Sequence, residues 1–478
     1  MPDTDLHSRA ALEQRFGRRY RWWVLLTVMI GTVASIMAST IVNVAVPDMS
    51  RVFMLGQDRA QWLSAGFMAA MTLSMLTTPW LLERYGYRHT YGGAVLLLMI
   101  GGLCGGLSQW FGLILVMRVA EGLAAGVLQP IPAIVVLHAF ERHEQGKAMG
   151  IFGFGVVLAP AVGPSVGGLL VEWWGWRSIF FVVLPFCVLA LFLSRRYLPV
   201  AAPGGMAINR RGARIDLVGL VLVAVAVLSL LNSMVELQAG NRSTAIALLL
   251  TCAVTVVGFV SHQRRSAHPL MRLDLFGHRT FALGGCVAFI YGMALFGSTY
   301  LVPVFMQIAL HLPPSQAGAV LLPAGLVLAL TIPFAGRLAD RWPVNRVIVI
   351  GLVLLALSFG VMVTVGLSTA LWLIALWAAI GRVGLGFVLP SLNLGSMRGL
   401  PNQAISHGSS TINFLRQLGG AAGISLVGSM LEWRLQAEQA DPLRAFHETF
   451  VLIGLITACA VIAAWRMGTP APVAVSPP

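Results

Sequence analysis

The sequence predicts an all-α integral membrane protein, and three observations support that fold class. Of the 478 residues, 57% are hydrophobic and only 10% are charged, and the mean hydropathy is +0.82. Soluble domains carry about 25% charged residues, so a soluble surface could not absorb this composition. The apolar residues form repeated runs of about 20, the length of a membrane-spanning helix rather than a barrel strand.

Fourteen apolar runs are long enough to be membrane helices. An even number of spans places both termini on the same side of the membrane. The predicted spans are 22–47, 61–82, 90–107, 111–137, 147–171, 178–194, 215–236, 244–261, 280–310, 317–338, 347–367, 370–394, 406–431 and 449–467.

The loop charges orient these spans. The net charge is +14, and with the N-terminus inside, 23 of the 32 Lys and Arg residues fall in inside segments and six in outside loops. Positive residues concentrate in cytoplasmic loops, so both termini are expected in the cytoplasm. Because the basic residues lie in short loops between apolar runs, we expect contact with the lipid bilayer and not with nucleic acid.

The two ends of the chain repeat each other. LLERY (81–85) matches LADRW (338–342) in acid, arginine and aromatic residue, and RVAEGLAAGVLQP (118–130) resembles GRVGLGFVLP (381–390). Repeats of this kind are typical of transporter folds, with the site at their interface. The predicted segments are a cytoplasmic tail (1–21), an N-terminal six-helix bundle (22–194), a cytoplasmic linker (195–214), two additional membrane helices (215–261), a second linker (262–279), a C-terminal six-helix bundle (280–467) and a cytoplasmic tail (468–478).

Seven motifs across most of the chain resemble the major facilitator superfamily, and within it the fourteen-helix drug:proton antiporters of the EmrB/QacA type. The resemblance implies two six-helix bundles with two extra helices between them, and no enzyme activity. It also implies multidrug efflux of small molecules in exchange for protons, without a cofactor. The motifs are STIVNVAVP (39–47), LLERYGYR (81–88), RVAEGLAAG (118–126), APAVGPSVGG (159–168), WWGWRSIFFVVLP (173–185), AGRLADRW (335–342) and NFLRQLGGAAG (413–423).

The stretch GPSVGG matches the family's antiporter motif with Gly163, Pro164, Gly167 and Gly168. Gly163 and Gly167 are four residues apart and share one helix face, which lets a neighbouring helix approach closely. Pro164 removes a backbone hydrogen bond and bends the helix. We expect a bent, tight contact between the two halves; ordinary packing of a membrane helix is the alternative.

The family resemblance implies that the two matching loops, within LLERYGYR (81–88) and AGRLADRW (335–342), form a conformational latch, a set of contacts that holds one face of the protein closed. Their acids can pair with cytoplasmic arginines or with a helix end, which would close that face, and Gly86 permits a tight turn. Plain positive-inside charge is the alternative. The latch residues are Glu83, Arg84, Gly86 and Arg88 in the first copy and Asp340 and Arg341 in the second.

Arg118 and Glu121 are the candidates for proton coupling. An arginine at membrane depth costs about 3 kcal/mol to insert and needs a partner or a wet cavity. Glu121 lies three residues on, on the same helix face. The family carries an acid in its first helix where this chain has Ala38, so Glu121 is expected to replace it, unless the pair is structural or coupling differs.

Polar residues within apolar runs are candidates for the substrate cavity. No acid is predicted within the apolar runs beside Arg382 and Arg416, which favours either an anionic ligand or capping of these arginines by backbone carbonyls. An exporter of a specific endogenous lipid-like or anionic compound, with altered coupling, is therefore the alternative function. No metal site or phosphate loop occurs in the sequence, and a periplasmic adaptor protein stays open. The cavity candidates are Thr40, Asn43, Gln307, Arg382, Asn393, Asn413, Arg416 and Gln417.

Overall fold

The computed structural model describes residues 9–54, 57–200, 214–238, 240–437 and 441–467. Within these ranges the regular structure is helical throughout, and eleven helical runs are long and apolar enough to cross a membrane. One of them, 62–107, is broken at Gly86 and counts as two. The long helices Gln145–Trp174 and Ile405–Ala437 complete the fourteen predicted from the sequence. Residues 1–8 of the predicted N-terminal tail, most of the first linker and the whole predicted C-terminal tail (468–478) lie outside the described residues.

The fourteen helices are numbered in chain order. In the first half they are α1 (Tyr20–Val52), α2 (Gln57–Ser74, continued by the 3₁₀ turn Met75–Thr77 and residues 78–85), α3 (87–107), α4 (Phe111–Leu128, continued by Ile131–Ala139), α5 (Gln145–Trp174) and α6 (Leu184–Tyr197, preceded by the turn Ser178–Phe181). The extra pair is α7 (Leu217–Gln238) and α8 (Arg242–Arg265). The second half contains α9 (Arg279–Ile308), α10 (Pro314–Arg341), α11 (Val344–Met362), α12 (Leu371–Gly395), α13 (Ile405–Ala437) and α14 (Pro442–Arg466).

The span predicted as 178–194 is confirmed as the helical run Ser178–Tyr197, with a short turn between Phe181 and Leu184. One boundary prediction was wrong. The loop predicted over 432–447 is much shorter, because α13 continues to Ala437 and α14 begins at Pro442. Asp441 explains the early start of α14, since its carboxylate accepts hydrogen bonds from the first free backbone N–H groups of that helix.

Buried apolar residues divide between the two halves of the chain. One large cluster comes from residues 12–198, joined by Leu394 and Ile405, and the other comes from residues 275–467. Burial of apolar side chains within each half stabilises two separate bundles. The extra pair is attached through α7, where Val223 and Val227 pack with Leu76 of α2 and with residues of α13 and the α8–α9 connection. Most side chains of α8 are exposed, as expected for a helix that faces lipid.

Glycines bring the helices of each bundle close together. A Cβ atom on Gly122 of α4 would lie 2.3 Å from the Phe67 carbonyl oxygen of α2. In the second half, a Cβ on Gly386 of α12 would lie 2.8 Å from Thr331 of α10. Gly122 and Gly386 each lie four residues after the arginine of their repeat, so the internal repeat extends to equivalent helix contacts.

Several inter-helix contacts define one end of the molecule. Arg21 pairs with Glu144 at 2.6 Å, and the Thr280 hydroxyl donates to the Met467 carbonyl. The backbone at Gly86 has a φ of 78°, a conformation that favours glycine, and the chain turns there from α2 into α3. We call this end the arginine-rich face, because it carries the short basic loops at 84–88, 142–147, 264–279 and 337–346.

Candidate functional site

Arg118 of α4 is fully buried and has a carboxylate partner. Its Nη1 donates to Glu121 Oε2 at 2.6 Å, so the pairing predicted from the i, i+3 spacing is confirmed. The same guanidinium donates to the carbonyl oxygens of Ala38 in α1 (3.1 Å) and Leu63 in α2 (3.2 Å). Its carbon lies 4.3 Å from the centroid of the Phe67 ring. Arg118 is fully buried and therefore links α1, α2 and α4 through charge-assisted hydrogen bonds inside the bundle.

Glu121 points into the N-terminal bundle. A Cβ atom added to Gly101 of α3 would lie only 2.6 Å from the Glu121 Cγ, and one added to Gly102 would lie 3.4 Å from the Glu121 Oε1. The absence of side chains at these two glycines therefore leaves space for Glu121. Only 4% of the side chain is exposed. Arg118 Nη2 is also buried and has no hydrogen-bond partner among the described residues. The pair thus buries a carboxyl group and a guanidinium together, with one guanidinium nitrogen still without a described partner.

In the second half, neither Arg382 nor Arg416 has a matching ion pair within the described residues. Arg382 Nη1 lies 3.4 Å from the Thr299 hydroxyl of α9, just as Arg118 reaches α1 in the first half. Arg416 of α13 donates to Asn413 Oδ1 at 2.7 Å and, more weakly, to Gln129 Oε1 of α4 at 3.4 Å. Side-chain oxygens, not the backbone carbonyls considered from the sequence, thus accept from both arginines.

Arg416 lies at the contact between the two bundles. Beside it, the Gln417 amide lies 3.8 Å from the Met68 sulfur of α2, and the Ser409 hydroxyl donates to the Pro130 carbonyl of α4 at 3.2 Å. The structure therefore brings Asn413, Arg416 and Gln417 together against the first half. Gln129 and Met68 were missed by sequence reasoning. Gln129 is an amide at the end of an apolar run, the same signal that selected the other amides, whereas a methionine in an apolar run carries no such signal.

The other cavity candidates are dispersed. Asn43 is exposed on α1 and accepts from the Ser64 hydroxyl at 2.6 Å. Gln307 is exposed on α9 and donates to the Pro303 carbonyl of its own helix. Asn393 of α12 is buried. Thr40 donates to carbonyls of its own helix, which satisfies its hydroxyl locally.

Asp340 joins the two bundles at the arginine-rich face. Its Oδ1 accepts from the Gly146 N–H at 2.6 Å and its Oδ2 from the Lys147 N–H at 2.8 Å. These are free donors in the first turn of α5, where the helix dipole also favours a carboxylate. Of the two partners predicted for the acid, arginine or helix end, the helix end is observed. The backbones meet closely here: a Cβ on Gly146 would lie 2.2 Å from the Gly336 carbonyl oxygen.

The first copy of the loop also contacts the opposite bundle. Glu83 Oε1 lies 3.3 Å from His407 Nε2 in the first turn of α13, a partner that the sequence did not indicate. Nearby, the His138 ring lies 3.3 Å from the Asn402 carbonyl oxygen. Among the remaining loop residues, Arg341 is exposed, and Arg84 and Arg88 are partly buried. Contacts through Asp340 and Glu83 thus link the two bundles at the arginine-rich face.

The antiporter-motif glycines do not join the two halves, so that expectation was wrong. A Cβ on Gly163 would lie 2.9 Å from the Thr40 hydroxyl, and one on Gly167 would lie 2.6 Å from Ile41, so both pack against α1 of their own bundle. Among the described residues of other helices, no atom lies within 4 Å of a Cβ built on Gly168. The backbone at Pro164 is helical, and its side chain lies outside the described residues.

A different stretch of α5 meets the second half. A Cβ added to Gly150 would lie 3.0 Å from Pro333, and one added to Gly153 would lie 2.6 Å from Ile332; Pro333 and Ile332 both belong to α10. Together with Gly146, these glycines form a smooth face along the first third of the helix. Glycine spacing in the sequence predicts a smooth face, but it does not show which helix that face meets.

These features are those of a membrane transporter: two helical bundles meet at a glycine-lined contact, and charged side chains are buried within and between the bundles. The family model of the Major Facilitator Superfamily matches residues 28–424, and the chain belongs to that family of transporters, which are not enzymes. The chain is 32% identical over 417 residues to "Multidrug resistance protein Stp" of Mycobacterium tuberculosis (strain CDC 1551 / Oshkosh), covering 86% of this chain and 76% of that protein. It is 27% identical over 456 residues to "Lincomycin resistance protein LmrB" of Listeria monocytogenes, covering 91% and 94% respectively.

Solved structures show the same fold at low identity. The crystal structure of the human organic anion transporter MFSD10 matches with a TM-score of 0.66 and 15% identity, covering 93% of this chain and 99% of that chain. A double-tryptophan mutant of XylE matches with a TM-score of 0.68 and 14% identity, covering 94% and 96%. At these identities the likeness establishes the fold alone.

Proposed function

We propose that this transporter exports amphipathic or drug-like small molecules in exchange for protons, by alternating access between its two bundles. Relatives named for multidrug resistance and lincomycin resistance, aligned over most of the chain, support export of such compounds. The proton gradient is the energy source and no cofactor is required. The substrate meets the polar residues between the bundles, above all the group around Arg416.

The buried pair of Arg118 and Glu121 carries the proposal for proton coupling. A carboxylate beside an arginine stays ionised, and the same carboxylate without that contact favours its protonated form in an apolar setting. A movement of α4 relative to α1 would change how Arg118 divides its donors between Glu121 and the Ala38 carbonyl. Glu121 would then take up a proton in one arrangement and release it in the other. A static ion pair that only stabilises the bundle is the competing role.

The arginine-rich face is proposed to lie in the cytoplasm of a bacterial plasma membrane, with both termini on that side. The excess of basic residues in its loops supports this orientation. The contacts of Asp340 and Glu83 would then close the cytoplasmic side, and the described arrangement would be the one that releases substrate outward. Single cysteines at Arg265 and Arg242, at opposite ends of α8, test it: an impermeant maleimide added to intact cells should label only position 242.

Coupling is tested in everted membrane vesicles with a preformed pH gradient. Addition of a transported dye should release the gradient in wild type, and Glu121→Gln should abolish the release. Glu141→Gln is the matched control, because Glu141 is an exposed acid on the arginine-rich face. Dye binding to purified protein should persist in Glu121→Gln, which separates lost coupling from lost folding. If Glu121→Gln releases the gradient as wild type does, Glu121 is not the coupling acid.

An exporter of a specific lipid-like or anionic compound is the second candidate. Arg416 supports it, because this arginine lies between the bundles with only amide oxygens as described partners. Arg416→Gln should then abolish binding of an anionic fluorescent amphiphile and leave binding of a cationic dye unchanged. Equal loss of both ligands would favour a structural role for Arg416.

A further inference from the structure

A polar cavity of about 590 Å³ lies at the arginine-rich face, beneath the extra pair of helices. Its wall includes Trp80 and Glu83 of α2, the start of α7, the end of α8, the α8–α9 connection and His407 of α13. The volume is within the range of small-molecule sites. Because Glu83 and His407 belong to different bundles, the wall of the cavity includes residues of both bundles.

Asp216, an acid of this wall, is already satisfied by its neighbours. It accepts from the Gly219 N–H at 2.8 Å and from Gln263 Nε2 at 2.7 Å, and it lies 2.7 Å from His262 Nε2. Burial raises the pKa of Asp216, but these hydrogen bonds outweigh burial and hold the pKa below its ordinary value. The carboxylate is therefore engaged in fixing α7 to α8.

The remaining acids of the wall are paired as well. Asp274 Oδ2 lies 2.6 Å from Arg272 Nη2, and this hydrogen bond, opposed by burial, lowers the pKa of Asp274. Glu83 is in contact with His407. No acid of the described wall is left to balance a further cation.

Two arginines of the wall remain without a carboxylate. Arg214 precedes α7 and Arg264 lies in the last turn of α8, and neither has an ion pair within the described part of the chain. Guanidinium groups bind phosphate oxygens through paired N–H donors. Leu76, Trp80 and Leu270 add apolar surface beside them, at the level where the extra helices leave the membrane.

We propose that this cavity binds a phosphate-bearing anion through Arg214 and Arg264. The anion is either the headgroup of an acidic phospholipid or a soluble phosphate ester. An occupant touches α2, the extra pair and α13 at once, so it favours the arrangement in which the arginine-rich face is closed. The inference does not depend on proton coupling, since it concerns binding at a separate place.

Binding is measured by native mass spectrometry on the purified full-length protein in detergent. Phosphatidylglycerol and phosphatidylcholine are titrated separately, and glycerol 3-phosphate is added as a soluble competitor. The test variant is Arg214→Gln/Arg264→Gln, and Arg265→Gln is the matched control, because Arg265 is an exposed neighbour that does not line the cavity. Melting temperatures of all variants are recorded first, and the two single variants replace the double variant if it is unfolded.

We expect one phosphatidylglycerol to bind more tightly than phosphatidylcholine, with about a tenfold loss in the double variant and none in Arg265→Gln. If glycerol 3-phosphate binds with the same dependence on the two arginines and the lipids do not differ, the ligand is a soluble phosphate ester. The proposal is overturned if wild type and the arginine variants bind the phosphate compounds equally. It is also overturned if no phosphate compound binds.

Discussion

Replacement of Asp340 by asparagine should open the arginine-rich face. The carboxylate accepts two backbone N–H groups of α5, at 2.6 and 2.8 Å, from the opposite bundle. Asparagine keeps the shape but loses the charge, one of the two acceptors and the attraction to the helix dipole. Hydrogen bonds to charged groups contribute about 1.5–3 kcal/mol, and the dipole adds about 0.3–1 kcal/mol.

A loss of about 2 kcal/mol shifts the ratio of closed to open molecules by about 30-fold, because each 1.4 kcal/mol is a factor of ten. Spin labels at Glu141 and Arg346, exposed positions on opposite bundles, report this ratio as a distance distribution in pulsed electron resonance. Asp340→Asn should add a population at longer distance. Arg337→Gln, which removes a charge from the exposed side of the same helix, should leave the distribution unchanged. A distribution identical in Asp340→Asn and wild type would refute the role of this contact.

Three further perturbations test the packing and the charges. Gly167→Ala should lower the melting temperature, because the new Cβ would lie 2.6 Å from Ile41 of α1 and overpacking costs about 1–3 kcal/mol. Gly168→Ala is the control, since a Cβ there meets no described atom of another helix, and it should leave the melting temperature unchanged. Equal melting temperatures of the two variants would contradict this packing. Adding Ala38→Asp to the Glu121→Gln variant should restore release of the pH gradient, because it returns a carboxylate to the neighbourhood of the Arg118 guanidinium. If the double variant does not release the gradient when dye is added, the proposed proximity of residue 38 to Arg118 is contradicted. Asp216→Asn should lower thermal stability at pH 7, and this difference should shrink as the pH falls below 3.8. The folded pKa is depressed, so the stabilisation is complete above the ordinary value of 3.8 and is lost as the pH falls through the folded pKa. A difference that does not shrink in acid would contradict this role of Asp216.

Local spacing predicted much of the architecture. The apolar runs indicated fourteen helices, and the three-residue separation of Arg118 and Glu121 indicated their ion pair. Both depend on the geometry of a single helix, which the sequence determines almost alone. The repeat of LLERY and LADRW likewise pointed to two acids at one face, and the structure places each against the opposite bundle.

Long-range partners could not be predicted in the same way. His407 is 324 residues from Glu83, and no periodicity marks it as a partner. The Ala38 carbonyl that receives Arg118 is a backbone group, which every residue carries. Gly163 and Gly167 showed that a close helix contact was needed, but the identity of the facing helix depends on how the whole bundle assembles.

The two glycine faces of α5 also restrict how this helix can change in length. Gly146, Gly150 and Gly153 meet α10, while Gly163 and Gly167 meet α1, so two stretches of one helix point to different neighbours. Each residue inserted into a helix rotates the remainder of that helix by about 100°. A one-residue insertion between Gly153 and Gly163 would therefore turn bulky side chains into one of these narrow contacts, while the same insertion at either end of the helix would leave both undisturbed.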